Sequence, residues 1–221
     1  MCGRFNQTAS GEEIAEAFAL DEAPELAPRY NIAPTQPVPV VLAEPGSARR
    51  VLVERKWGLV PHDALGKERG FINARAETAA SKPAFSEAFA ARRCLVPATG
   101  FYEWQQVDPK RRQPWLIRLE SGAPFAFAGL WEPAAGAIPG APPTFTILTT
   151  QPNELTRTVH DRMPVILAPG SYARWLDPTL RELDELRALL APFPAGSMTA
   201  YPVSTHVNNA AFDDPACLAP A

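Results

Sequence analysis

The sequence predicts an α+β fold: one β-rich domain over residues 1–221, with a curved, barrel-like antiparallel sheet core and short helices around it. Three observations lead there. Short apolar runs of strand length recur along most of the chain, whereas helical patterns are few and brief. Proline reaches 25 of 221 residues, about 11% against a usual value of about 5%, and is spread throughout, as a fold with many turns requires. Helices do not alternate regularly with strands, which argues against a doubly wound parallel sheet.

Taken in order, Ser10 followed by Glu13 forms a capping box, opening a short helix with Ile14 and Phe18 on one face. PVPVVLAE (37–44) and RVLVER (50–55) read as strands joined by the turn-rich EPGSAR into a hairpin. SEAFAARR (86–93) reads as a short helix running into the apolar CLVP. FYEWQQV and PWLIRL, separated by DPKRRQ, form a second hairpin, and FAFAGLW and TFTILTT add strands. PVILA follows a turn, and SYARWL and LRELDELRALL read as amphipathic helices. No repeat, low-complexity block or interdomain linker interrupts the chain.

Composition narrows the function classes. Apolar residues at 46% and charged residues at 20% suit a soluble globular protein. The net charge of −3 argues against a uniformly basic nucleic-acid binder but leaves room for a local basic groove. The 21 basic residues include four lysines (Lys56, Lys67, Lys82 and Lys110) and therefore 17 arginines, side chains whose planar fork matches phosphate. Three cysteines (Cys2, Cys94, Cys217) without CxxC spacing point to a reducing compartment rather than a disulfide framework. Neither a signal sequence nor an apolar run of about 18 residues is present, so a soluble intracellular protein is expected, with no membrane contact. The three histidines are scattered, so no metal site is expected and no cofactor is implied.

Four stretches carry polar groups that a packed core does not need. MCGRF supplies Cys2 and Arg4; FINARAET (71–78) sets Asn73, Arg75 and Glu77 among apolar residues. GFYEWQ (100–105) embeds Glu103 between aromatics, and TVHDRMPVIL (158–167) places His160, Asp161 and Arg162 before an apolar run. In a strand, Phe101 and Glu103 share one face and Tyr102 and Trp104 the other. Turned inward, Glu103 would have a raised pKa suited to proton transfer near neutrality; turned outward, it is an ordinary solvated glutamate. His160 is either a proton shuttle or a histidine tied into a loop, and Cys2 either a nucleophile or a small apolar filler.

Together these segments resemble the SOS response-associated peptidase (SRAP) family of abasic-site processing proteins. The resemblance is carried by MCGRF, RYNIAPTQ (29–36), KWGLVP (56–61), NARAET (73–78), RCLVPATGFYEW (93–104), TTQPN (149–153), HDRMPVIL (160–167) and PVSTHVNN (202–209). It implies a β-rich α+β fold and recognition of abasic sites in single-stranded DNA, with covalent attachment through Cys2 after removal of Met1. It also implies lyase-like chemistry and Cys2-dependent autoproteolysis, a cytoplasmic, nucleoid-associated monomer, and work beside replication-fork proteins. Carried over residue by residue, Cys2, Asn73, Glu103 and His160 fall on catalytic positions. Arg4, Asn31, Trp57, Arg75 and Arg162 fall on DNA-contacting or site-organising ones, with Trp57 as a stacking platform for a base. Two rival readings are a cysteine hydrolase using Cys2 and His160, and a non-catalytic single-strand binding module. The chain departs from the family pattern at His206, where an arginine-like residue is expected, and at the following AAFDDP.

Overall fold

The computed structural model describes residues 2–44, 46–47, 49–61, 70–134 and 140–221. Met1, whose removal the family resemblance implies, lies outside them. The strands and helices run β1 (Phe5–Gln7), α1 (Gly11–Phe18), β2 (Arg29–Ile32), β3 (Pro37–Ala43), β4 (Arg50–Trp57), β5 (Asn73–Arg75), α2 (Ala76–Ala79), α3 (Pro83–Ala91), β6 (Arg93–Ala98) and β7 (Gly100–Asp108). They continue through β8 (Arg111–Leu119), β9 (Phe125–Glu132), β10 (Thr144–Thr150), β11 (Met163–Pro164), β12 (Ile166–Leu167), α4 (Tyr172–Leu176), α5 (Leu183–Ala188) and β13 (Met198–Pro202).

Local signals are realised where they are self-contained. Ser10 Oγ accepts the Glu13 N–H while Glu13 returns a bond to the Ser10 N–H, so α1 starts where its capping box lies. β3 and β4 pair in antiparallel register from Pro37 opposite Lys56 to Ala43 opposite Arg50, giving the expected first hairpin. The second hairpin, β7–β8, reaches further into its turn than the apolar pattern indicates, with Asp108 opposite Arg111. The PVILA stretch divides into β11 and β12, because the Val165 N–H turns to Leu148 O. The expected helix over 180–190 contracts to the six residues of α5, which starts without a side-chain cap.

Strands β10, β4, β3, β6 and β9 pair in succession, and β9 pairs back onto β10, closing a five-stranded ring. A second sheet has the order β13–β8–β7–β1–β2. Pairing is mainly antiparallel as expected, but β10 runs parallel to both β4 and β5. The long chain path between these strands and β10 provides the crossover that parallel pairing needs.

The two-residue period of the ring strands sorts their side chains into two cores. Val38, Val40, Cys94, Val96, Phe127, Phe145 and Ile147 pack with Phe5 and Phe101 of the second sheet and with Cys2, just ahead of β1. The intervening Val41, Leu95, Ala126, Ala128 and Leu148 pack instead against helix residues such as Ile14, Phe18, Phe89 and Trp175. Strands buried on both faces explain why these runs read as nearly continuous apolar stretches. Between the ring strands the packing is close at Gly129, where a Cβ would lie 2.6 Å from Cys94 Sγ. Among the described residues, no helix is long and apolar enough to cross a membrane.

Candidate active site

Cys2 precedes β1 and is fully buried in the core shared by the ring and the second sheet. That burial pushes its thiol pKa well up, so the thiolate is disfavoured. Asn73, the first residue of β5, donates from Nδ2 to the Cys2 carbonyl oxygen at 2.7 Å and fixes the backbone there. Its Oδ1 is buried and has no hydrogen-bond partner among the described residues.

Glu103 lies on the same face of β7 as Phe101, and that face turns inward: Glu103 is 3% exposed. Burial pushes its carboxyl up to about 7, which balances its acid and base forms near neutrality. Of the two orientations the sequence allowed, the inward one is realised.

His160 sits just before β11, with Nε2 3.9 Å from Glu103 Oε2. Burial lowers its pKa, keeping the imidazole neutral at pH 7. Two groups meet its Nδ1 and ask for opposite tautomers. The Arg162 backbone N–H donates to it at 3.1 Å, and Asp161 Oδ1 lies 2.9 Å away. The backbone donor is fixed, whereas the Asp161 side chain is 88% exposed and can turn to solvent, so we assign the proton to Nε2, the nitrogen facing Glu103.

This loop is fastened from behind. Arg162, itself buried, grips Glu77 through two parallel bonds of 2.6 and 2.8 Å and also donates to Thr149 O at 2.6 Å. The pairing holds the Glu77 carboxyl below its usual range. It ties NARAET to HDRMP, so Asn73 and His160 are set by one framework. Of the roles open to Arg162, organising the site is the one its burial permits.

Arg4 projects the other way. Its Nη1 donates to Asn31 Oδ1 at 2.8 Å and Val207 O at 2.9 Å, and its guanidinium lies 5.9 Å from the centre of the Trp104 ring. Arg75, two residues past Asn73 on β5, is exposed beside the centre.

Two expected DNA contacts need correction. Trp57 is fully buried, stacked with Phe145 and edge-on to Phe5, and its indole N–H donates to Ile72 O. Both ring faces are therefore covered, and no base can reach them. Asn31 is also fully buried, and its Nδ2 serves the carbonyls of Val207, Asn209 and Phe212. It clasps the C-terminal segment and offers no surface to a strand.

The segment that departs from the family pattern completes this clasp. Asp213 accepts from the Arg29 side chain and from the Tyr30 and Asn31 backbone N–H groups. His206 stacks on Phe212 with ring centres 4.2 Å apart and meets Asp214 Oδ2 at 3.0 Å. Nothing in the sequence marks Asp213 as the anchor of β2, because its partners lie more than 180 positions away.

The family model described as SOS response associated peptidase (SRAP) matches residues 1–210. The abasic site processing protein YoqW of Bacillus subtilis (strain 168) is 43% identical over 216 residues, covering 95% of each chain. The abasic site processing protein HMCES of Gallus gallus is 32% identical over 87% of this chain and 66% of its own length. Among solved structures, a protein from Bacteroides thetaiotaomicron superposes over the whole of both chains with a TM-score of 0.86 at 26% identity.

Proposed function

Because the chain belongs to the SRAP family, we propose that it processes abasic sites in single-stranded DNA by linking itself to them through Cys2, once Met1 is removed. Without its base, the deoxyribose opens to an aldehyde at C1′. The α-amine of an amino-terminal Cys2, with an ordinary pKa of about 7.7–8.0, is about a tenth unprotonated at pH 7, far more than a lysine amine. It adds to the aldehyde and expels water to give an imine. The thiol then adds to the imine carbon, its proton passing to nitrogen, and a five-membered thiazolidine closes. One water is lost overall, and no oxidant is needed.

The observation that carries this reading is Glu103, a carboxyl balanced near pH 7 on the inward face beside Cys2. Protonated, it assists departure of the carbinol hydroxyl; ionised, it receives the thiol proton. His160 donates from Nε2 to the sugar ring oxygen as the ring opens, and Asn73 holds the Cys2 carbonyl so that amine and thiol face one carbon. Lyase cleavage on the 3′ side and self-removal of Met1 would draw on the same acid and base. The raised thiol pKa speaks against a hydrolase that starts from a thiolate and favours amine-first chemistry.

Blocking the α-amine of mature protein while leaving the thiol free separates the two. On a denaturing gel with an abasic oligonucleotide, the amine-blocked protein should give no heat-stable shifted band. Undiminished crosslinking after blocking would overturn the mechanism.

A further inference from the structure

The C-terminal segment brings together three donors that the catalytic centre does not use. His206 Nε2, Asp214 Oδ2 and Cys217 Sγ all lie within 4.8 Å of one another. Asp214 and Cys217 fall beyond residue 210, where the family match ends, so the family does not account for the trio. The expectation of no metal site rested on scattered histidines; the fold adds an aspartate and a cysteine to one of them.

Each donor is already oriented by its neighbours. His206 lies in the short 3-10 turn Thr205–Asn208, where the Ser204 hydroxyl accepts its backbone N–H, and its ring stacks on Phe212. Asp214 caps the next turn, Pro215–Leu218: Oδ1 accepts the Ala216 N–H, which leaves Oδ2 facing His206 at 3.0 Å. Cys217 belongs to that turn, with its N–H bonded to Asp214 O, and is fully buried. Its thiol makes a weak bond to Phe212 O at 3.5 Å. Outer partners of this kind are what hold ligands in place at metal centres.

An imidazole nitrogen, a carboxylate and a thiol form a donor set for zinc, whereas magnesium and calcium take oxygen ligands. Bonds of about 2.0–2.3 Å in a tetrahedral array put ligand atoms roughly 3.3–3.7 Å apart. Side-chain shifts of about 1 Å therefore close the trio on one ion. Carboxylate and thiolate together cancel the charge of a divalent ion, so none is left uncompensated against the buried side. His206 and Asp214 are part-exposed, which opens a fourth position to water and gives the ion its way in.

We propose that His206, Asp214 and Cys217 bind zinc, with water as the fourth ligand, and that the ion pins the two C-terminal turns together. On binding, the Cys217 thiol releases its proton to water, and the neutral His206 ring carries its hydrogen on Nδ1, freeing Nε2. Nothing is oxidised or reduced. Val207, next to His206, presents the carbonyl that accepts from Arg4 and Asn31, so the ion and the amino-terminal arm share one support. The site is independent of the abasic-site reading.

The test is titration of the full chain, freed of metal with a chelator, using Co²⁺ as a spectroscopic probe for zinc. Wild type should develop thiolate-to-cobalt charge-transfer absorption and the intense visible bands of a four-coordinate ion, and Zn²⁺ should bleach both. Zn²⁺ should also raise the midpoint of thermal unfolding in step with its concentration, and Mg²⁺ should not. Cys217→Ser should abolish the charge-transfer band. His206→Ala should weaken Co²⁺ binding by more than about 100-fold, beyond the 10–100-fold typical of losing an outer partner. Cys2→Ala should keep the band, which separates this site from a metal held by the amino-terminal amine and thiol. Wild type without the band, or a band that survives Cys217→Ser and vanishes in Cys2→Ala, overturns the site. His206→Ala leaves Cys217 and its packing in place. A folded His206→Ala that binds Co²⁺ like wild type therefore overturns the site even where Cys217→Ser fails to fold.

Discussion

Two polar regions flank Arg4, and they are built on opposite terms. At the C-terminal clasp, Asp213 receives one side-chain and two backbone donors, His206 meets Asp214, and the carboxylates keep partial contact with water. Each group there has a complement, so the clasp stabilises the fold. At the centre, Glu103 and Asn73 are placed where their polar atoms are costly: burial pushes one carboxyl to about 7, and the Asn73 Oδ1 lacks a partner among the described residues. Burial likewise pushes His160 down. The contrast separates residues that hold the chain together from residues held ready by it.

The largest expected effect is at Cys2. Cys2→Ala in mature protein keeps an amine but removes the thiol, so the heat-stable band should fall at least 100-fold. A band trapped by borohydride reduction should survive, because the imine still forms. Retention of the heat-stable band would remove the thiazolidine from the mechanism. At the clasp the sign of the contrast reverses. Asp213→Ala strands two backbone N–H donors and a guanidinium, costing about 2–3 kcal/mol. Thermal unfolding should then shift down by about 5–10 °C, and an unchanged midpoint would make the clasp incidental.

Glu103 offers a pH signature. Its folded pKa of about 7 lies above the ordinary 4.5, so the folded state holds a proton the unfolded state has lost. Its favourable contribution is complete below about pH 4.5 and is lost as pH rises through 7. Glu103→Gln cannot lose that proton. Its stability should match wild type near pH 4 and exceed it at pH 8 by roughly 3 kcal/mol, read by denaturant unfolding at both pH values. Parallel curves would show that Glu103 titrates normally. The smallest effect is expected for Arg162→Lys, which exchanges the two-pronged grip on Glu77 for a single contact. A loss of about 1–2 kcal/mol is expected, and calorimetry giving no change would release Arg162 from its framework role.

The difference between the regions also explains what could be read in the sequence. The α1 capping box spans four residues, and the β3–β4 hairpin has both partners within twenty, so each is legible locally. Glu103 declared itself as a carboxylate in an aromatic run, although only the packing of Phe101 against the ring fixed its direction. Trp57 misled because an aromatic in a polar motif looks the same whether it stacks on a base or fills a core. Its partners Phe5 and Phe145 come from distant strands, and those of Asn31 from the distant C-terminal segment. Asp213 was visible only as a departure from pattern, since a lone aspartate carries no mark of the distant backbone it serves.

The burial of Cys2 has a consequence in time. The core it shares includes Phe101, Phe127, Phe145, Ile147 and Met163, all made long after it, and His160 follows 158 residues later. At about 5–20 residues per second, the ribosome leaves the amino end waiting for roughly 8–30 s before these groups emerge. The trimming of Met1 that the proposed function requires would have its widest access in that interval. Once the ring closes, Cys2, the residue proposed to react with abasic DNA, is buried in the core and shielded from bulk solvent.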